Sequence, residues 1–292
     1  MRVHLVDGTY ELFRHHYGTP PEVRATSQTA ATRGVLGSVL AMLEEGATHV
    51  GVATDHVIES FRNDLWAGYK DGTGVEPLLK AQFPVLEASL EAMGVVVWAM
   101  VELEADDALA SAAAVAADDP EVTQVVICTP DKDLGQCVLD ARVVQLDRRK
   151  GLVTDEAGVV ARYGVRPESI TDWLALVGDS ADGYPGLKGW GKAAATTVLA
   201  RYGHIEDIPR LGERWAVDVR GARSLANTLA EQRDLALLFR DLATLRVDRS
   251  LLSAVDDLRW TGPTPAFEAT CDLLGTPGLL GRATTLAASR VL

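Results

Sequence analysis

The chain predicts an α/β fold: a parallel sheet flanked by helices, followed by a helical lobe. Three observations lead there. Short apolar runs alternate with helical patterns through the first half, as in a parallel sheet covered by helices. Strand signals fade after about residue 154, and helical patterns dominate from there. A glycine-rich interruption at 178–191 separates two of those later helical stretches.

In chain order, strands are expected at 3–6, 50–53, 95–98, 125–128 and 143–146, each a run dominated by valine and other apolar residues. Helices are expected at 34–45, 77–93 and 105–117 between them, the last rich in alanine. The second half predicts helices at 155–163, 167–176, 192–202 and 224–238. Two domains follow. Residues 1–153 form an α/β core with a short arch at about 68–93. Residues 154–292 form a helical lobe with a helix–hairpin–helix-type element at about 167–203 and a C-terminal return segment. No internal repeat or low-complexity tract interrupts them.

The 292 residues are 47% hydrophobic and 24% charged, the balance of an ordinary globular chain. Met1 leads directly into a strand-like run, and no apolar stretch reaches the roughly 18 residues of a membrane span. A cytoplasmic protein without a membrane association is therefore expected. Cys128, Cys137 and Cys271 are far apart and form no Cys-x-x-Cys pair, which points to reduced, buried thiols. The net charge of −13 argues against a nucleic-acid partner on its face, because phosphate binding normally draws on a basic surplus. Carboxylates that hold cations would resolve the conflict, since bound metal cancels part of the charge.

Placement of the acids favours that resolution. Asp7, Asp55, and the pair Asp131 and Asp133 each follow an expected strand, at the edge where parallel sheets build their sites. Glu104, Asp106 and Asp107 open the alanine-rich helix, with Glu104 and Asp107 on one face. Helix capping would account for one acid there, not for three. Asp179 and Asp182 lie in the glycine-rich interruption. Gathered carboxylates raise one another's pKa unless cations compensate them. Oxygen donors without a local His/Cys cluster suit Mg²⁺ or Mn²⁺ rather than Zn²⁺. Two such ions about 3.5–4 Å apart would form a phosphoryl-transfer clamp. The interruption itself, Gly178 to Gly191, ends in Gly-Trp-Gly before a helix, so its bare N–H groups can approach phosphates.

These motifs, in this order, resemble the 5′-nuclease (flap endonuclease) superfamily, in particular the 5′-nuclease domain of bacterial DNA polymerase I and its free-standing relatives. The resemblance runs from about residue 1 to 250. It is carried by Val6-Asp7-Gly8, Thr54-Asp55 leading to Ser60-Phe-Arg62, Tyr69-Lys70, Glu104-Ala-Asp-Asp107, Thr129-Pro-Asp131-Lys-Asp133-Leu-Gly-Gln136, the 178–191 segment and the return segment Asp241 to Asp248.

The resemblance implies a PIN-like sheet and a divalent-metal-dependent 5′-3′ exonuclease or flap endonuclease that acts as a stand-alone monomer. Its partner would be DNA with a 5′ single-stranded arm or flap, or an RNA primer. Asp7, Asp55, Glu104, Asp106 and Asp107 would surround one cation, and Asp131, Asp133, Asp179 and Asp182 the second. Lys70, Arg14 and Arg62 would act near the scissile phosphate. Arg33, Lys132, Gly186, Lys188, Gly189, Gly191 and Lys192 would contact DNA, with K⁺ held at the hairpin. Arg33 and the lysines of that group read equally well as ordinary surface, and Trp190 as a hairpin packing residue.

Departures from the family pattern are specific. Thr73 stands where the arch usually has an arginine three residues after its lysine. Gly183 replaces an asparagine, and Lys192 is shifted by one position. The competing reading is a DNA-binding protein of the same fold with weak or lost catalysis. A haloacid dehalogenase-type phosphatase would need an aspartate where Leu5 stands, and a PIN-type ribonuclease would not carry the hairpin lobe.

Overall fold

The computed structural model describes residues 1–290. The last two residues of the expected second domain, 291–292, lie outside the described residues. In chain order the elements are β1 (Arg2–Asp7), α1 (Gly8–Gly18), α2 (Pro21–Arg24), α3 (Ala30–Glu44), β2 (His49–Asp55), α4 (Phe61–Leu65), α5 (Pro77–Lys80) and α6 (Gln82–Ala92). They continue with β3 (Val96–Met100), α7 (Ala105–Asp118), β4 (Gln124–Cys128), β5 (Val143–Asp147), β6 (Leu152–Thr154), α8 (Glu156–Tyr163) and α9 (Ile170–Val177). The last are α10 (Lys192–Tyr202), α11 (Ala222–Glu231), α12 (Arg233–Ala243), α13 (Phe267–Leu274) and α14 (Pro277–Arg290).

Two compact units are formed, and each draws on separate stretches of chain. The first comprises Met1–Ile58, Gly72–Thr129 and Val247–Leu292; the second comprises Glu59–Asp71 and Pro130–Arg246. A single cut near residue 153 does not describe them. The chain enters the second unit at Pro130, directly after β4, and returns to the first at Val247.

In the first unit, β1 pairs in parallel with β2 and β4, and β2 in parallel with β3. The strands read as unbroken apolar runs because both faces are covered: Val3, Leu5, Val6, Val52, Ala53, Val125 and Ile127 are all buried. Successive residues at the end of β2 show the two faces. The Thr54 hydroxyl donates to Glu87 of α6, while the Asp55 carboxylate accepts from the Ala105 N–H that opens α7. Helix α7 buries Leu109 together with Ala108, Ala112, Ala113 and Ala116, small residues that let it lie close across the strands.

The expected helix at 77–93 divides into α5 and α6 around Ala81. Phe83, Leu86 and Leu90 of α6 are buried. Residues 82–92 therefore cover the sheet and are not part of a free arch, because their apolar face is spent on the core. A helix over 8–18 was not expected: the segment reads as polar, and its start is set by the Asp7 carboxylate, which accepts from the Tyr10 N–H at 2.8 Å.

In the second unit, β5 and β6 form an antiparallel pair. Its core gathers Trp173, Leu174, Tyr184, Trp190, Leu225 and Phe239 from α9, the glycine-rich segment, α11 and α12. The helix expected at 224–238 is likewise two, α11 and α12, with Gln232 between them.

Candidate functional site

In the first unit the acids are tied to the frame by neutral donors. Asp7 is 6% exposed at the end of β1, where one oxygen caps α1 and the other accepts from the Thr129 hydroxyl at 2.9 Å. Asp55 accepts from the Ala105 N–H at 2.7 Å, while its own N–H donates to the Thr9 hydroxyl. Glu104 and Asp107 are buried, and the Glu104 N–H donates to the Asp107 carboxylate at 2.9 Å. Asp106 sits partly exposed in the first turn of α7. The N-termini of α1 and α7, with Thr129 just after β4, thus supply the donors that let these carboxylates stay close to the sheet.

The second unit holds its acids differently. The Asp179 N–H donates to the Tyr184 carbonyl, and the Asp179 carbonyl accepts from the N–H groups of Gly183 and Tyr184. That closed turn carries Asp179 and Asp182 side by side. It exists because two glycines let backbone meet backbone. A Cβ on Gly178 (φ 84°) would run into Pro185, and one on Gly186 (φ 68°) into Val177 and Leu176. Asp133 arrives from the turn 133–137, where its N–H donates to the Asp131 carboxylate at 2.9 Å and the Gln145 side chain donates to the Asp131 carbonyl.

As a result, Asp133, Asp179 and Asp182, all buried, each offer an oxygen within 4.8 Å of the others. Two ammonium groups meet them. Lys132 Nζ contacts Asp179 Oδ2 and lies 3.5 Å from Asp133 Oδ1, and Lys70 Nζ lies 3.1 Å from Asp182 Oδ1. The Asp133 Oδ1 and Asp179 Oδ2 atoms are buried against the Lys132 ammonium.

The electrostatics follow. Burial first, then the charges of Asp131 and Asp182, push the Asp133 carboxyl well above the usual carboxylate range. Burial disfavours the Lys132 ammonium, yet Asp133, Asp131 and Asp179 overcome it and hold the lysine above its ordinary value. Burial also works against the Asp179 carboxylate, but the Lys132 ammonium wins and lowers its pKa. Beneath them Tyr184 is shifted upward by burial and by the charges of Asp133, Asp182 and Asp179. Tyr184 and Gln145 were not singled out from sequence; an apolar neighbourhood and a strand glutamine give no local signal of a role beneath carboxylates.

The remaining expected residues fall into three groups. Arg62 is 1% exposed: Nε donates to the Leu242 carbonyl at 2.8 Å and Nη2 to that of Thr244 at 3.3 Å. This corrects the expectation of a phosphate-facing arginine, because the guanidinium satisfies the end of α12 from within the core. Arg14 pairs with the buried Glu11 and touches His15, whereas the partly exposed Arg33 reaches only the Ser27 hydroxyl, at 3.5 Å. In the hairpin, Gly186 is buried, while Lys188, Gly189, Gly191 and Lys192 are exposed. Trp190 is 4% exposed; its indole donates to the Leu225 carbonyl and packs beside Trp215, so it is a packing residue. A cavity of about 680 Å³ beside the acids is lined by Lys132, Asp179, Ser180, Lys192 and Trp173, among others.

DNA polymerase I of Pseudomonas aeruginosa is 34% identical over 267 residues; the match spans 87% of this chain and 28% of the polymerase. The chain thus spans less than a third of the length of the polymerase relatives it matches. A 5′-3′ exonuclease of Aquifex aeolicus is 28% identical, with 89% of this chain and 87% of that protein covered. Among solved structures, a T5 5′-exonuclease described with bound divalent zinc superposes with a TM-score of 0.68 at 14% identity, over 99% of both chains. The catalytic core of Rad2 in complex with a DNA substrate gives 0.62 at 15% identity, covering 98% of this chain and 90% of that one. Both show the fold. Residues 2–164 match the 5′-3′ exonuclease N-terminal resolvase-like domain, and residues 165–266 the 5′-3′ exonuclease C-terminal SAM fold. Between them these matches take in both acidic groups and the glycine-rich turn, and the chain belongs to the 5′-3′ exonuclease family.

Proposed function

We propose that the chain is a structure-specific 5′-nuclease that hydrolyses DNA phosphodiesters near junctions between single and double strand, using divalent cations. The observation that carries this reading is the buried group Asp133, Asp179 and Asp182, whose oxygens lie within 4.8 Å of one another and meet the ammonium groups of Lys132 and Lys70. Three buried carboxylates are costly without cations, and an oxygen-only donor set suits Mg²⁺ or Mn²⁺. The group's chemistry therefore fits the metal that the family membership implies.

Asp131, Asp133, Asp179 and Asp182 would hold one cation, and Asp7, Asp55, Glu104, Asp106 and Asp107 the other. When bound, such a pair supplies an activated water and stabilises the leaving oxygen. Lys70, already beside Asp182, is placed to stabilise negative charge that develops on the phosphate, an effect worth about 3–4 kcal/mol for a single well-placed donor. The exposed Lys188 to Lys192 stretch would hold duplex backbone, with K⁺ beside it. The reading extends to a monomer in the cytoplasm that accepts 5′ arms, flaps and RNA primers. No helix among the described residues is long and apolar enough to cross a membrane.

The test is digestion of end-labelled 5′-flap, overhang and single-stranded DNA with Mg²⁺, Mn²⁺ or EDTA. Cleavage near the junction that requires the metal is expected. Metal-independent cleavage would overturn the mechanism, and tight junction binding without cleavage would favour the binding protein of the same fold.

A further inference from the structure

Lys70 has no helix or strand of its own to hold it: it follows α4 in an irregular segment. Its position comes instead from contacts of residues 66–70 with the acidic turn. The Trp66 indole Nε1–H donates to the Gly183 carbonyl at 3.1 Å, and the Lys70 N–H donates to the Asp182 carbonyl at 3.0 Å. The Asn63 side chain donates to the Lys70 carbonyl at 3.0 Å. Gly68 and Gly183 lie backbone against backbone. Gly183 has φ 84°, and a Cβ there would fall on the Gly68 carbonyl oxygen. A Cβ on Gly68 would in turn press on Trp66 Nε1 at 2.8 Å. The Trp66 ring is fixed from behind, edge-to-face on Phe239 at 5.1 Å, and Phe239 stacks on Tyr184 of the same turn at 5.4 Å.

We propose that Trp66, with the Gly68–Gly183 contact, is the positioning element for Lys70. It anchors the 66–70 segment to the Asp179–Tyr184 turn, so that the ammonium stands at Asp182. The inference rests on the reading of Lys70 as a phosphate-stabilising group and names residues that motif comparison gave no role. It also accounts for Gly183 in place of asparagine, since any side chain there would displace Gly68 from the turn. A tryptophan that merely filled space would need its ring and not its N–H. The hydrogen bond to Gly183 is the part that ties ring to turn.

Trp66→Phe keeps the aromatic contact with Phe239 and removes the N–H. Three measurements test the role: steady-state kinetics on a 5′-flap substrate, the same change in a Lys70→Ala background, and NMR of ¹³C-dimethylated lysines to follow the Lys70 signal. Trp66→Phe is expected to lower kcat about three- to ten-fold with KM within two-fold. In Lys70→Ala it should add nothing, and the Lys70 signal should move toward that of an exposed lysine. Gly68→Ala, at an exposed position, should reproduce the pattern and serves if Trp66→Phe does not fold. An equal loss in both backgrounds, or an unmoved Lys70 signal, would overturn the proposal. A wild-type protein that cleaves nothing while the Lys70 signal still moves would leave the positioning role standing and remove the nuclease reading.

Discussion

The two units carry acids of the same kind and hold them through different contacts. In the first, Asp7, Asp55 and Asp107 accept from a hydroxyl, from the start of a helix and from backbone N–H groups. In the second, Asp133, Asp179 and Asp182 meet the ammonium groups of Lys132 and Lys70. Neutral donors are built into the secondary structure, so the first group helps to hold its unit together. Ammonium groups on flexible stems can be displaced, so the second group is poised to exchange them for metal. Loss of an acid should therefore have opposite effects on metal-free stability in the two places.

The largest expected effect separates them. Asp182→Asn and Asp7→Ala should each lower Mg²⁺-dependent cleavage by at least about 100-fold, the scale of losing a principal electrostatic contact. Without metal they should diverge. Asp182→Asn removes one of several crowded charges, so its melting temperature should hold or rise. Asp7→Ala removes the cap of α1 and the partner of Thr129, which costs about 1–2 kcal/mol and should lower the melting temperature by a few degrees. Equal melting shifts in EDTA would erase the contrast.

Next in size is a change that affects folding more than chemistry. Arg62 makes charged hydrogen bonds to carbonyls at the end of α12 while 1% exposed. Arg62→Gln should destabilise the protein by about 2–4 kcal/mol, from lost charge-assisted bonds and unsatisfied carbonyls. Denaturant titration reads this directly. Activity per folded molecule should stay within about three-fold of wild type; a hundred-fold fall with unchanged stability would restore the phosphate-facing role.

Much of this was legible in the sequence, for a physical reason. Parallel strands buried on both faces must be apolar throughout, so β1, β2 and β4 announce themselves, and acids just past them mark the functional edge. Gly178, Gly183 and Gly186 were legible because positive φ and close backbone contact leave no room for a side chain. The fate of Arg62 was not legible, since a motif arginine looks the same whether it faces phosphate or carbonyls 180 residues away. Nor was the fate of 82–92, where a helical pattern cannot say whether its apolar face meets a sheet. The re-entry of the chain into the first unit at Val247 depends on contacts far apart in sequence, such as the Trp98 indole on the Leu251 carbonyl.

A smaller effect tests how the second unit is braced away from its acids. Asp172 of α9 is buried, accepts from Arg240 of α12 at 3.0 Å and lies 2.8 Å from the His204 imidazole. Arg240 also grips Glu206, whose carboxyl it holds down at about 2. The hydrogen bond that His204 donates to the Asp172 carboxylate, aided by the charges of Asp172, Asp207 and Glu206, raises the His204 pKa above 6.5. Its stabilisation is thus fully present below about pH 6.5, the unfolded value, and is lost as pH rises through the folded value. Melting temperature compared with that of His204→Gln should differ by a degree or two at pH 5.5 and converge by pH 9. A gap that widens with pH would reverse the assignment.

The smallest expected effect concerns Lys80, and it sharpens the comparison by being nearly nil. By its place a few residues further along the expected arch, Lys80 is a candidate to replace the arginine missing at Thr73. Lys80 and Lys70 nevertheless belong to different units. Lys80 ends the short helix α5 and is exposed, and α6, one residue further on, buries Phe83, Leu86 and Leu90 in the first unit. An exposed lysine at the end of a short surface helix is solvated and screened by salt, so its substitution changes little. Lys80→Ala should therefore change kcat less than two-fold and stability by less than about 0.5 kcal/mol. Lys70→Ala, measured beside it on the same 5′-flap substrate, should lose far more, because its ammonium already stands among the acids of the second unit. If the two alanine variants lose comparable activity, α5 delivers a phosphate-binding group after all.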